Sequence, residues 1–266
     1  MKPTTLLLAC LICWSGLAGS VSVLPQTKPA QTTAQVAAVQ VPFVGCASDG
    51  QAGPLAVPTD KSEAVAIPAA LAQRLAYYKG GTGAGVLAPR GWHCFLQYGS
   101  DGGNLFVSPD PIDSTTVMSM DWKGFTGNAI ELSVMLGGTS GRFEVAQIIA
   151  RVFPAYKAFA QSVIAEGIEP ASSFPFGPYP TDKLTYKGNN VVEFVTPANA
   201  QGLGTCSRLQ ANSSPIDGVA VLVGGGANQD TNLVQLSARL SATESDLIPA
   251  IVGQREKEAA AAAANQ

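Results

Sequence analysis

"AIELSVMLGGTSGRFEVAQIIARVFPAYKAFAQSVIAEG" (residues 129–167) changes its hydrophobic period partway along. Over 129–136, Ile130, Leu132, Val134 and Leu136 alternate with Glu131 and Ser133, the period of a half-buried strand. From Val145 onward the apolar positions recur at three and four: Ile148, Ile149, Val152, Phe153, Tyr156, Phe159, Ala160, Val163 and Ile164. That spacing lays one wide apolar stripe along an α-helix. Pro154 sits inside the pattern without shifting its phase, and Gly167 closes it. The spacing therefore predicts a long, kinked helix over 141–166, with Ser140 at its N-cap.

Working outward, "PAALAQRLAYYKGG" (68–81) reads as a short helix, with Pro68 in its first turn and Leu71, Leu75 and Tyr78 on one face. "WHCFLQY" (92–98) and "NLFVS" (104–108) flank "GSDGG" (99–103), a strong hairpin signal. Beyond the long helix, "FPFGPYP" (174–180) is a Pro-locked loop, and two further hairpins follow over 183–197 and 218–240. A last helix opens with Ser241 and Glu244 at capping-box spacing. About seven hairpin-joined strands and a few helices, without regular strand–helix alternation, indicate α+β architecture. The expected core is an antiparallel sheet covered by the 141–166 helix and two shorter ones.

The ends read differently. Lys2 and the apolar run "LLLACLICW" (6–14), followed by small residues to Ser20, have the layout of a secretory signal peptide over 1–20. The run is too short for the ~20 apolar residues of a membrane span. Residues 21–42, rich in Gln, Thr, Ala and Pro, suit an unstructured spacer. The domain is then expected over 43–254, with "REKEAAAAAANQ" (255–266) as a fraying tail.

Cleavage of the leader would remove Cys10 and Cys13, leaving Cys46, Cys94 and Cys206 of the five cysteines. An oxidising compartment implies one disulfide and one thiol left over. All three pairings are open by count; the Gly- and Pro-rich turns beside Cys46 and Cys94 favour that pair. Such a bond would stabilise the fold by about 4 kcal/mol. The leader also carries one lysine, so 15 basic residues would face 19 acidic ones. Charged residues make up 13% of the chain, about half the usual share. Without a basic run there is no electrostatic footprint for nucleic acid.

His93 is the only histidine, directly before Cys94. On a strand these neighbours point to opposite faces and cannot form a thiolate–imidazole dyad. A hydrolase would need His93 with a serine or with Cys206, and the Gly-x-Ser-x-Gly elbow is missing. One histidine and scattered cysteines offer no transition-metal set. Asp101, Asp110 and Asp113 lie in sequences that turns prefer in any case. The Gly-rich runs at 80–85 and 224–226 lack the strand–loop–helix setting of a nucleotide site, so no cofactor is expected. What remains is contact surface: Arg90, Trp92 and Tyr98 near the first hairpin, and Phe174, Phe176 and Tyr179 in the stiff loop.

Four stretches, "GVLAPRGWHC" (85–94), "SGRFEVAQIIARVFP" (140–154), "IAEGIEPASSFPFGPYP" (164–180) and "VTPANAQGLGT" (195–205), together resemble a family of secreted or periplasmic bacterial proteins. The resemblance runs over about 43–255, implies export from a bacterium, and brings no activity, ligand or catalytic residue with it. The expectation is an exported, non-enzymatic envelope protein that binds a protein or an envelope component. Its rivals are a hydrolase using His93 and a structural stabiliser of the cell surface.

Overall fold

The polypeptide enters its first strand inside the stretch read as spacer. A computed structural model describes residues 37–225 and 230–264; the stretch read as a signal peptide (1–20), most of that read as a spacer, residues 226–229 and the last two residues lie outside it. Strand β1 (Val39–Gly45) pairs antiparallel with β3 (Ser62–Val65) and parallel with β4 (Leu75–Lys79). With β5 (Val86–Pro89) these form a sheet of four strands, in the order β3-β1-β4-β5. At Cys46 the chain leaves that sheet. It continues as β2 (Ala47–Gly50), which lies parallel to β6 (His93–Gly99) at the edge of a second sheet.

That second sheet has eight strands, β2-β6-β7-β8-β12-β11-β10-β9, and every pairing except β2–β6 is antiparallel. Its members are β7 (Gly102–Ser108), β8 (Ala129–Met135), β9 (Lys183–Tyr186), β10 (Val191–Thr196), β11 (Ile216–Val223) and β12 (Asn232–Arg239). All three hairpins expected from the sequence are present, as β6–β7, β9–β10 and β11–β12.

One face of the large sheet is apolar over β6, β7, β8 and β12 and over part of β11, with Asp217 and Glu193 on it farther along. Leu96, Leu105, Val107, Ile130, Leu132, Val219, Val221, Val234, Leu236 and Ala238 pack there against β4, β5 and helix α5 (Ile248–Ala264). The start of the "REKEAAAAAANQ" stretch belongs to α5 and packs on the domain, while residues 265 and 266 lie outside the described residues. The stretch is helical to Ala264, and Arg255 and Ala259 are buried. Ala259, small as its side chain is, belongs to the same apolar cluster, which a reading by bulk alone misses.

Two helices of the sequence reading are corrected. Residues 68–81 form only a four-residue helix, α1 (Ala69–Ala72), after which Leu75–Lys79 is β4. Leu75, Ala76, Tyr77 and Tyr78 are all buried, so β4 is covered on both faces; such a run imitates a helical stripe over a short window. The single kinked helix over 141–166 is two helices, α3 (Arg142–Val152) and α4 (Lys157–Ala165), joined by a 3-10 turn at Pro154–Tyr156. Proline disfavours α geometry in the residue before it, and Phe153 leaves the helix at φ −119°, ψ 71°. The apolar phase survives because both pieces cover one patch: Val145, Ile149, Phe153, Phe159 and Val163 share a cluster with Val192, Phe194, Leu222 and Leu233. The cap of α3 is Gly141, not Ser140.

Candidate functional site

The other face of the large sheet is the unusual one. Register sets Gln97, Asn104, Ser133 and Gln235 side by side across β6, β7, β8 and β12, a polar row where a packed face would carry apolar residues. Glu131, Ser237 and Arg239 occupy neighbouring positions on that face and are almost wholly buried. Apolar cover exists only to either side. Helices α3 and α4 cap one flank; Phe95, Phe106, Trp122 and Phe125, with Val117 of α2 (Ser114–Val117), cap the other. Between them opens a cavity of about 490 Å³.

Gln97, Asn104, Glu131 and Ser133 line its floor; Tyr98, Asp101, Glu144, Cys206, Ser207 and Arg208 line its walls. A smaller cavity of about 130 Å³ shares Met135, Glu144 and Cys206 with it and adds Gln147, Arg151 and Tyr179.

Two segments shape the walls. The tip of the β6–β7 hairpin folds over β8, where the Leu136 amide donates to the Asp101 carbonyl at 2.8 Å. Gly102 at φ +142° is needed there, since a Cβ would come within 1.8 Å of the Val134 carbonyl oxygen. The opposite wall is the 3-10 turn Leu203–Cys206 and the two residues after it. Asp182 holds this turn, accepting from the Leu203 amide at 2.8 Å and from the Thr196 hydroxyl at 2.7 Å. The sheet holds it too: the Gln235 amide donates to the Leu203 carbonyl at 3.0 Å, and Glu131 Oε2 accepts from the Arg208 amide at 2.5 Å.

Glu131 is the electrostatic centre of the cleft. It is 3% exposed, and burial pushes its carboxyl up to about 7 against the opposing pull of the Arg208 amide and the Ser133 hydroxyl. Ser133 Oγ lies 2.9 Å from Glu131 Oε1 and 2.6 Å from Asn104 Oδ1. A hydroxyl has one proton for two acceptors. With that proton given to Asn104, the Glu131 contact is satisfied when the carboxyl itself carries a proton and donates it to Ser133. At the mouth, the Glu144 carboxyl is also raised, first by burial and then by repulsion from Asp101 and Glu169. The Arg208 guanidinium stands 5.9 Å over the Trp122 ring.

The residues singled out from sequence do not assemble into one surface. Cys46 and Cys94 are disulfide-bonded, with Cα atoms 5.3 Å apart, and join the two sheets at the β1–β2 crossover. Arg90 is tied down, its guanidinium donating to the carbonyls of Leu75 at 2.9 Å and Ala72 at 2.7 Å. Trp92 packs half-buried on the apolar core, and Phe174 is a core residue at 2% exposure, so neither presents a free ring. Phe176 is exposed beneath the Lys157 ammonium. Tyr98 and Tyr179 do reach the cavities; Arg151 covers the Tyr179 ring at 4.1 Å, and the Tyr179 hydroxyl lies 3.3 Å from Cys206 Sγ.

His93 is exposed at the start of β6 and lines neither cavity, whereas Cys206 lines both. The cleft begins at Gln97, about 13 Å along the strand from His93. The Cys206 thiol is accessible yet desolvated enough to sit above its ordinary value, which keeps it protonated and a weak nucleophile. Among the described residues no group of three acidic, histidine or cysteine side chains could hold a metal ion, and no helix is long and apolar enough to cross a membrane.

Sequence reasoning missed Gln97, Asn104, Glu131, Ser133, Glu144 and Arg208. The signal was a shared parity: polar residues stand on one face of β6, β7, β8 and β12 alike. Compared with known proteins, the chain matches no family model, no curated protein and no solved structure.

Proposed function

We propose that this is an exported, non-enzymatic binding protein of a bacterial envelope, and that its ligand occupies the cleft on the polar face of the large sheet. One observation carries the reading. A cavity of about 490 Å³ opens on hydrogen-bonding side chains set in the middle of an otherwise packed sheet, a size suited to a small molecule. Burying such groups costs free energy unless they are partnered; here Glu131 and Gln235 are partnered by the Leu203–Arg208 segment, which they hold as the wall of a polar cavity. Against a hydrolase stands the placement of the chain's only imidazole outside the cleft, and the burial that holds the Cys206 thiol above its ordinary value and so disfavours the thiolate. The layout of residues 1–20 and the Cys46–Cys94 disulfide support export.

The test is thermal unfolding of the disulfide-bonded protein against a panel of small polar compounds, neutral, anionic and cationic. At least one class should raise Tm in the native protein and leave a Gln97→Trp variant, with the floor obstructed, unmoved. Stabilisation that survives Gln97→Trp would place the ligand elsewhere. Turnover of ester or peptide substrates that disappears in His93→Ala would replace the binding reading with the hydrolase.

A further inference from the structure

We infer that the cleft receives a small organic ammonium ion, held by Glu131 on its floor and by Asp101 and Glu144 at its mouth. This rests on the cleft being a binding site and adds the chemical class of the ligand.

The lining carries more acidic groups than basic ones. Asp101, Glu131 and Glu144 bring three carboxyl groups, and Arg208 is the one cationic side chain among the lining residues. The Asn104 carbonyl oxygen already faces the Ser133 hydroxyl, and the Arg208 amide is committed to Glu131. A ligand that brings donors and positive charge complements this set; an anion would meet repulsion, and a neutral polyol would leave the charge unbalanced. Glu131 makes the point most sharply. It faces Asn104 and Phe106 from β7, Ser237 and Gln235 from β12, and Cys206 and Arg208 from the wall segment. None of these side chains forms an ion pair with it within 4 Å. The Arg208 guanidinium draws it down only from beyond that distance, and a buried carboxylate without a counter-ion in contact either holds a proton or takes a cation from outside.

The geometry also separates an organic cation from a metal. Hard metal ions require many oxygen ligands at short range, and no such cluster exists among the described residues. An ammonium needs only three acceptors, and its carbon frame can rest on Met135, whose side chain shares the face of Ser133 in the same lining.

The Ser133–Glu131 pair then works as an exchange. The empty site keeps a proton on Glu131; an arriving ammonium displaces that proton to solvent, the Ser133 hydroxyl turns its own proton from Asn104 to Glu131, and the Arg208 contact persists. No bond to carbon changes; one proton leaves as one cation enters.

Isothermal titration with 1,4-diaminobutane, and with 1,4-butanediol as its neutral isostere, tests this. The diamine should bind with Kd at or below about 1 mM, and the diol at least about tenfold more weakly. Between about pH 5.5 and pH 8 the diamine, charged throughout, should tighten on the order of tenfold as Glu131 gives up its proton. Repeating the titration in buffers of different ionisation heat should reveal proton release near pH 6. Glu131→Gln should abolish the pH dependence. Glu144→Gln, at an exposed rim position, should weaken the diamine several-fold without disturbing the fold. Equal binding of the two probes, or a flat pH profile in the native protein, overturns the inference. So does no diamine binding at about 10 mM. Binding of the diol alone would overturn it too while leaving the cleft a binding site, which separates this failure from that of the function itself.

Discussion

The two faces of the eight-stranded sheet are built from the same strands and do opposite work. On one, Leu105, Ile130, Leu132, Leu236 and their neighbours are dry and close-packed beneath α5 and the four-stranded sheet. On the other, one residue along each strand, Asn104, Glu131, Ser133, Gln235 and Ser237 form a polar layer with hydrogen bonds in place of packing. Because side chains alternate along a strand, a single register fixes both. The apolar face carries stability, so the polar face was free to become a site.

Leu132 and Ser133 test that division at adjacent positions. Leu132 is 1% exposed within the apolar cluster. Leu132→Ala should cost about 2–5 kcal/mol in denaturant unfolding, by lost burial and a cavity that neighbours only partly fill. Ser133→Ala loses one hydroxyl on the cleft floor and should cost nearer 1 kcal/mol. Similar losses at both positions would mean that the polar layer is as structural as the core.

The disulfide lies where the two sheets meet, and its loss belongs in the same range. Cys94→Ser should lower stability by about 2–5 kcal/mol. Peptide mapping without reduction should recover Cys46 joined to Cys94, with Cys206 open to alkylation.

A smaller effect depends on pH. The Glu131 carboxyl is raised to about 7 in the fold from an ordinary value of 4.5, so the native state binds its proton more tightly than the unfolded chain does. The corresponding stability is complete below the ordinary value and is lost as pH rises towards about 7, by at most about 3 kcal/mol. Glu256 is raised in the same direction, to about 7, by burial and by Glu193 beside it, so the two losses share a window. The protein should therefore be more stable near pH 5 than near pH 8, roughly speaking. Glu131→Gln should flatten the part of that slope due to the cleft; an unchanged slope would assign it to Glu256.

The hairpins, the α+β class and the Cys46–Cys94 pair were legible in the sequence because each is set by local chemistry: turn glycines, alternation, and cysteines beside turns. The extent of α5 was not, because burial of Ala259 depends on a sheet that comes from the far end of the chain. Nor was the strand nature of Leu75–Lys79, a short apolar run that either period fits. The cleft was hidden for a related reason. Glu131 and Ser133 looked like the wet side of a half-buried strand, and alternation alone does not distinguish a solvated face from a polar layer covered on both flanks by distant segments. Comparing parity across β6, β7, β8 and β12 would have exposed the row, but only once their order in the sheet was known.

The smallest expected effect falls on the residue that drew most notice as a sequence feature. His93 is the lone imidazole, yet it sits exposed at the outer end of β6, opposite Ser108, with no side-chain hydrogen bond among the described residues. Its neighbour Cys94 is spent in the disulfide, and Cys206 lines the cleft, which His93 does not. A surface substitution away from any cap, cavity or buried partner changes stability by no more than about 0.5 kcal/mol. His93→Gln should therefore leave both the unfolding midpoint and diamine binding as they are. If the variant instead loses ligand affinity as far as Glu131→Gln does, the site extends along β6 to the edge of the sheet. The contrast between the two faces would then have been drawn too narrowly.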